Sequence, residues 1–282
     1  MTSLSKRMME LPVWLETFRQ DDEIQAASYE GCPADFRASL KTAIAFAFHL
    51  WGDNASEQKN IQNNPYSGFA HTLSSKPAAW TLAILSPDYA APARFIAALL
   101  PAILAGCHQI YIVCAERSPS PALCTALELT GLEDIFVVPQ SEQRLDALVK
   151  ELTAMNTDGR ILFFPACSGE FSKLRHNAAN AGCPCWQEGK APHLAVLEDD
   201  AKYTDVLRSD IIAWAHGLDA ICSDSANADA IFKASVYGTE GQILPQALVF
   251  GSGMEGCWVH KGLTPDWFRT TSLCASFYSS EN

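Results

Sequence analysis

Cys167 stands in the run Pro165-Ala166-Cys167-Ser168-Gly169, just past an apolar stretch that reads as a strand. A thiol in such a turn is a candidate nucleophile when a helix N-terminus follows it, although nothing nearby in sequence supplies its base. The chain has ten cysteines, scattered from Cys32 to Cys274 with no C-x-x-C pair; only Cys183 and Cys185 lie close. Spacing rather than number signals a metal or redox site, so the set reads as buried small hydrophobes. Glu198, Asp199 and Asp200 form an acidic turn after a strand, which reads as a solvated N-capping turn rather than a cation site. His216 closes a helical stretch, where the dipole favours a solvated C-cap. Trp186, Trp214, Trp258 and Trp267 read as core or interface residues rather than as cofactor-stacking ones.

Regular elements must position these groups. Residues 11–25 and 38–51 carry apolar residues at helical spacing, and 53–76 is polar, with Pro65 and Gly68 as breakers, as in a loop or domain crossing. From residue 80 the pattern alternates. Strands are expected over 80–85, 109–114, 134–138 and 160–164, with helices over 91–105, 120–130 and 142–153 between them. Such alternation implies βαβ units and a parallel sheet with right-handed crossovers. After a Pro- and Gly-containing crossing at 186–191, strands are expected over 193–197 and 219–222, and helices over 202–216 and 227–234. Residues 1–79 show no strand of their own, so their helices are expected to pack on a second sheet. The fold class is α/β, with two Rossmann-like α/β/α domains, one inserted into the other. The inserted one spans 80–192, and the split one 1–79 plus 193–282.

Composition excludes several classes. Of the 282 residues 48% are hydrophobic and 18% charged, as in an ordinary globular protein. A net charge of −12 leaves no basic stripe to neutralise phosphates, so nucleic acid is set aside. No apolar run reaches the roughly 18 to 20 residues of a bilayer span, and no apolar h-region follows Lys6 and Arg7. A cytoplasmic location without membrane contact is expected.

Longer stretches carry a resemblance. PARFIAALLPAILAGCHQIYIV (92–113) and ALELTGLEDIFVV (126–138) are similar in order and spacing to the nucleotide-binding domain of histidinol dehydrogenase. The strand, acidic turn and helix of 194–231, then GQILP (241–245) and GLTPDWF (262–268), resemble later segments of that family, so the likeness covers roughly 80–278. The family's fold is aldehyde dehydrogenase-like, with one Rossmann-like domain inserted in another, and its members are dimers that use NAD and zinc.

The resemblance also shows what this chain lacks. The family's zinc is held by a Gln-x-x-His turn, an Asp and a C-terminal His. Here Ala213 replaces the Gln and His216 is the one surviving ligand-like position, so zinc is not expected. The substrate-contacting His becomes Gln242, which cannot move a proton at neutral pH, and no Glu-His pair exists. The glycines that approach the cofactor become Ser86-Pro87-Asp88, where Asp88 would face a pyrophosphate with negative charge. Pro165 and Ser168 stand in the other cofactor-lining segment, and Gln143 matches a family Gln or is a solvated helix residue. Catalytic candidates are Cys167, His216 and Gln242; nucleotide-cleft candidates are Ser86, Asp88, Gln143, Pro165 and Ser168. Three readings follow. The first is a relative without histidinol dehydrogenase activity whose cleft binds a small molecule or partner. The second is an oxidoreductase of altered chemistry using NAD, and the third a structural or assembly protein. A homodimer is expected in each.

Overall fold

The computed structural model describes residues 11–52, 58–64, 68–139, 141–155, 158–167, 169–197, 207–218, 228–233 and 248–277. It opens with helices α1 (Val13–Glu16), α2 (Asp22–Gly31) and α3 (Ala34–Trp51), then strands β1 (Gln58–Asn64) and β2 (Phe69–Pro77). The alternating region follows as β3 (Trp80–Leu85), α4 (Pro92–Leu104), β4 (Ile110–Ala115), α5 (Pro121–Thr130) and β5 (Ile135–Val138). It continues through α6 (Ser141–Met155), β6 (Gly159–Phe164), α7 (Ser172–Asn180) and β7 (Cys185–Gln187). Beyond it lie β8 (Leu194–Leu197), α8 (Ser209–His216), β9 (Ala230–Lys233), β10 (Leu248–Phe250), a 3-10 turn (Pro265–Phe268) and β11 (Arg269–Phe277).

Three sheets result. Five parallel strands run in the order β5-β4-β3-β6-β7, the doubly wound order with the first strand of the series at its centre. Every residue of β3, β4 and β6 is buried, which explains why they read as continuous apolar runs. A second parallel sheet, β10-β9-β8, packs with α3 and α8 around Leu40, Ile212, Ala215, Phe232 and Phe250. The third sheet is antiparallel, β1-β2-β11.

α4 joins the two parallel sheets. Every residue in it except Ile103 is buried, and a helix apolar all round belongs inside a protein. Phe95, Leu99 and Ala102 pack on the five-stranded sheet, while Ala93 and Ile96 belong to the core of the second sheet. Pro92 opens the helix where a missing N–H is tolerated. α5 shows equally local causes: the Ser120 side chain caps Leu123 N, and Gly131 stops the helix in the left-handed conformation.

Several expectations change. The polar stretch 53–76 contains β1 and β2, so residues 1–79 do have strands of their own. Neither strand shows apolar alternation because their sheet is half-buried at most over most of its length. The single helix expected over 11–25 is two short helices, split where Arg19 bridges Phe136 at the sheet edge. The crossing at 186–191 begins inside β7, and α7 before it has too few apolar residues to announce itself. The helix expected over 227–234 is instead β9, flanked on both sides by parallel partners; a short buried strand and a buried helix turn share one apolar signature. The strand expected over 219–222 lies outside the described residues. Trp186, Trp214, Trp258 and Trp267 pack against the cores, and Cys107, Cys114, Cys124, Cys183 and Cys257 are buried. No helix among the described residues is long and apolar enough to cross a membrane.

Candidate functional site

β3 and β6 are neighbours, but the chain leaves them in opposite directions. From β3 it enters α4, which packs on one face of the sheet with α5, and from β6 it enters α7, which packs on the other face with α6. Diverging crossovers open a crevice at the carboxyl ends of the two strands, the place where open α/β sheets hold ligands. A cavity of about 410 Å³ occupies it. The β3–α4 turn contributes Asp88, Tyr89 and Ala90, the segment after β6 contributes Pro165, Ala166 and Cys167, and 187–191 closes the side next to β7. Gly217, just past α8, completes the wall; its φ of +62° suits glycine, and a Cβ there would lie 2.7 Å from the Ala90 carbonyl oxygen.

Arg94 and Glu188, each 6% exposed, line the cavity as an ion pair, Nη1 to Oε1 at 3.1 Å. The pair lacks hydrogen-bond geometry: Arg94 Nε and Glu188 Oε1 have no hydrogen-bond partner, nor do the Tyr89 hydroxyl and Gln187 Oε1. Burial pushes the Glu188 carboxyl up, opposed by the Arg94 charge, and pushes the Tyr89 phenol well up, reinforced by Glu188.

Two imidazoles lie behind this floor. His260 donates from Nε2 to the Arg94 carbonyl at 2.8 Å and accepts from Trp258 Nε1 at 3.3 Å. His216 donates from Nε2 to the Glu255 carbonyl at 3.1 Å and packs between Phe232 and Trp258. It is fully buried, which overturns the solvated C-cap expected from its position at a helix end. Burial, followed by the repulsion of Arg94, pushes His216 down to about 3; burial likewise pushes His260 down to about 4. Both are neutral structural donors at ordinary pH.

The crevice brings together Asp88, Pro165 and Cys167 from the sequence-derived candidates. Asp88 is not a bare charge, because it pairs with Arg117, whose Nε also donates to the Pro87 carbonyl. Ser86 is buried at the β3–β6 junction, its N–H donating to the Phe164 carbonyl at 3.0 Å. Gln143 sits exposed on the first turn of α6 and does not line the cavity. Cys167 is exposed, and the Glu170 carboxylate lies against its turn, accepting from Ala166 N at 2.8 Å. α7 starts at Ser172, and Cys167 is not among its first-turn residues. Ser168, Gln242 and the acidic turn at 198–200 lie outside the described residues. Sequence reasoning missed Tyr89, Arg94, Gln187, Glu188 and His260. One signal was present: Arg94 is the single charged residue in the apolar run 92–104.

The described residues do not assemble a site for either cofactor of the resembling family. Among the described residues no three of His, Cys, Asp or Glu come together for a metal, and His216 has Nε2 engaged by a backbone carbonyl. The β3–α4 turn has a side chain at each of positions 86–92, the Tyr89 N–H is taken by the Ser86 carbonyl, and Pro92 has none. Such a turn offers a pyrophosphate neither close backbone approach nor a row of free donors.

No protein-family model and no curated protein matches the sequence. Solved structures do. Histidinol dehydrogenase from Elizabethkingia anophelis superposes with a TM-score of 0.53 at 12% identity, over 92% of this chain and 77% of that one. An aldehyde dehydrogenase from Brucella melitensis biovar abortus 2308 has a TM-score of 0.36 at 16% identity, over 75% of this chain and 50% of its own. An oxidoreductase from Marinobacter aquaeolei has 0.42 at 16%, over 82% and 50%. The chain spans about half the length of these last two, and their scores carry no argument. What the first likeness establishes is architecture: this chain has the mixed α/β fold, with parallel sheets and Rossmann-like units, found in histidinol dehydrogenase.

Proposed function

We propose that this chain is a small-molecule-binding protein on a histidinol dehydrogenase-like scaffold, holding its ligand in the crevice between β3 and β6 without oxidising histidinol. The observation that carries the reading is the floor of that crevice. A buried Arg94–Glu188 pair borders a cavity, with polar atoms on four lining residues left without partners. Native interiors rarely keep such atoms unsatisfied unless water, an ion or a ligand completes them. Support for the missing turnover comes from the imidazoles, engaged as neutral donors to backbone carbonyls, and from a turn unsuited to pyrophosphate. The test incubates the full chain with histidinol, NAD and zinc while following NADH absorbance. No NADH above the protein-free rate is expected; steady, chelator-sensitive NADH formation overturns the reading.

A homodimer belongs to the same proposal. In the β1-β2-β11 sheet Phe69 stands opposite Phe277 and Leu73 opposite Leu273, all on one face and all exposed. A sheet needs a covering layer on at least one face, and a chain of net charge −12 meets its copy best through a patch without carboxylates.

A further inference from the structure

The unmet hydrogen-bonding capacity in the crevice has a definite pattern. Arg94 Nε is a donor without an acceptor, Gln187 Oε1 is an acceptor without a donor, and Glu188 Oε1 has the Arg94 Nη1 contact at 3.1 Å but no well-aligned donor. The Tyr89 hydroxyl, which can serve either way, lies beside the Glu188 carboxylate without a well-aligned hydrogen bond. All four residues line the same cavity, and Tyr89, Arg94 and Glu188 are more than nine-tenths buried. A ligand that completes this set presents one oxygen acceptor close to N–H donors. The formal charges of Arg94 and Glu188 cancel, so a neutral or zwitterionic molecule adds no uncompensated charge to the floor, whereas a net-charged one does. At about 410 Å³ the cavity suits a compact molecule rather than an extended dinucleotide.

We propose that the crevice binds a compact molecule of zero net charge carrying a carbonyl-type oxygen beside N–H donors, the pattern shared by α-amino-acid zwitterions and primary carboxamides. This rests on the crevice being a ligand site. The ligand oxygen accepts from Arg94 Nε, and its nitrogen donates to Glu188 Oε1 and Gln187 Oε1. Lys190, exposed at the mouth, adds a cation that a zwitterion's carboxylate uses and a carboxamide does not. That difference separates the two sources.

Isothermal titration of the full chain tests this, with L-alanine, L-glutamine and lactamide as probes and lactate, ethylamine and NAD as comparators. At least one probe of the first group is expected to bind and the comparators not. Arg94→Lys keeps the charge and removes the Nε donor, and should weaken binding about tenfold. Gln187→Leu, at a half-buried position that tolerates change better, should weaken it about fivefold. Lys190→Ala should weaken an amino acid about fivefold and leave lactamide unchanged. Lactate or ethylamine binding as tightly as alanine, or NAD binding alone, with either response sensitive to Gln187→Leu, overturns this inference and leaves the crevice as a ligand site. Absence of binding by every compound removes both.

Discussion

His260 donates its Nε2 hydrogen to the Arg94 carbonyl at 2.8 Å, and so ties the C-terminal segment to the first turn of α4, the helix that also carries the crevice arginine. Trp258 donates to the other ring nitrogen, leaving the imidazole satisfied only in its neutral form. His216, with Nε2 on Glu255 O, is held neutral in the same core.

Acid should therefore unfold the chain early. The folded pKa values of about 3 for His216 and about 4 for His260 lie below the ordinary 6.5. Between those limits the unfolded state binds more protons, so stability is full above about pH 6.5 and falls on acidification, by up to about 1.4 kcal/mol per pH unit per histidine. Glu188, raised by burial, works in the opposite sense, its contribution fading as pH rises through its folded pKa. Urea unfolding at pH 7, 6 and 5 should show a shallower acid limb for His216→Phe than for the unmodified chain; parallel limbs would contradict the assignment.

Gly217→Ala is expected to lower stability by about 2 kcal/mol, because the residue needs a left-handed backbone and its Cβ would press on the Ala90 carbonyl. Ligand binding should weaken as well, since Ala90 lines the crevice. A thermal midpoint within a degree of the parent's would show that the two segments are not in contact.

Arg160 joins β6 to the C-terminal segment. Its guanidinium donates to the carbonyls of Gly159, Trp267 and Arg269 at 2.8, 2.8 and 2.9 Å, with Asp158 3.6 Å from Nη1. Arg160→Met strips these acceptors of their donor inside the protein and should cost about 3 kcal/mol. Denaturant titration measures it, and a loss below one third of that would mean water replaces the guanidinium.

Thiol chemistry should be fastest at two of the described cysteines. Cys167 and Cys274 are exposed, whereas burial pushes Cys183 and Cys257 up to about 12 and Cys114 higher still. Brief iodoacetamide labelling of the native chain followed by peptide mapping should find Cys167 and Cys274 modified and Cys114, Cys183 and Cys257 intact. Rapid labelling of Cys114 would contradict the packing of β4.

Self-association should depend on the antiparallel sheet. The double variant Leu273→Ser, Phe277→Ser removes two exposed apolar side chains without touching a buried one. Sedimentation velocity should show dimer for the parent and a dissociation constant raised at least about tenfold for the variant. An unchanged dimer would place the interface elsewhere.

Local pattern made much of the fold legible. β3 through β6 and the helices between them are visible because each carries its own cause: buried apolar runs for strands, Pro92 and Ser120 at helix starts, and Gly131 as a stop signal. β1, β2 and β9 were not legible. The first two belong to a sheet that is exposed or half-buried over most of its length, so no buried apolar alternation marks them, and the third is too short to show a period. For the site, Asp88 and Pro165 are candidates through the resemblance to the family's cofactor-lining segments and Cys167 as a thiol in a turn after a strand, and all three line the crevice.

Sequence by itself determined the alternating architecture and the departures from the zinc and pyrophosphate patterns, because these depend on residue type and local spacing. Tertiary structure alone decided what fills the crevice. Arg94 meets Glu188 only because α4 and the segment after β7 converge at the carboxyl ends of β3 and β6. His216, at a helix end that sequence places in solvent, is buried because Phe232 and Trp258 close over it. Burial and long-range pairing are properties of the packed chain, and no local window contains them.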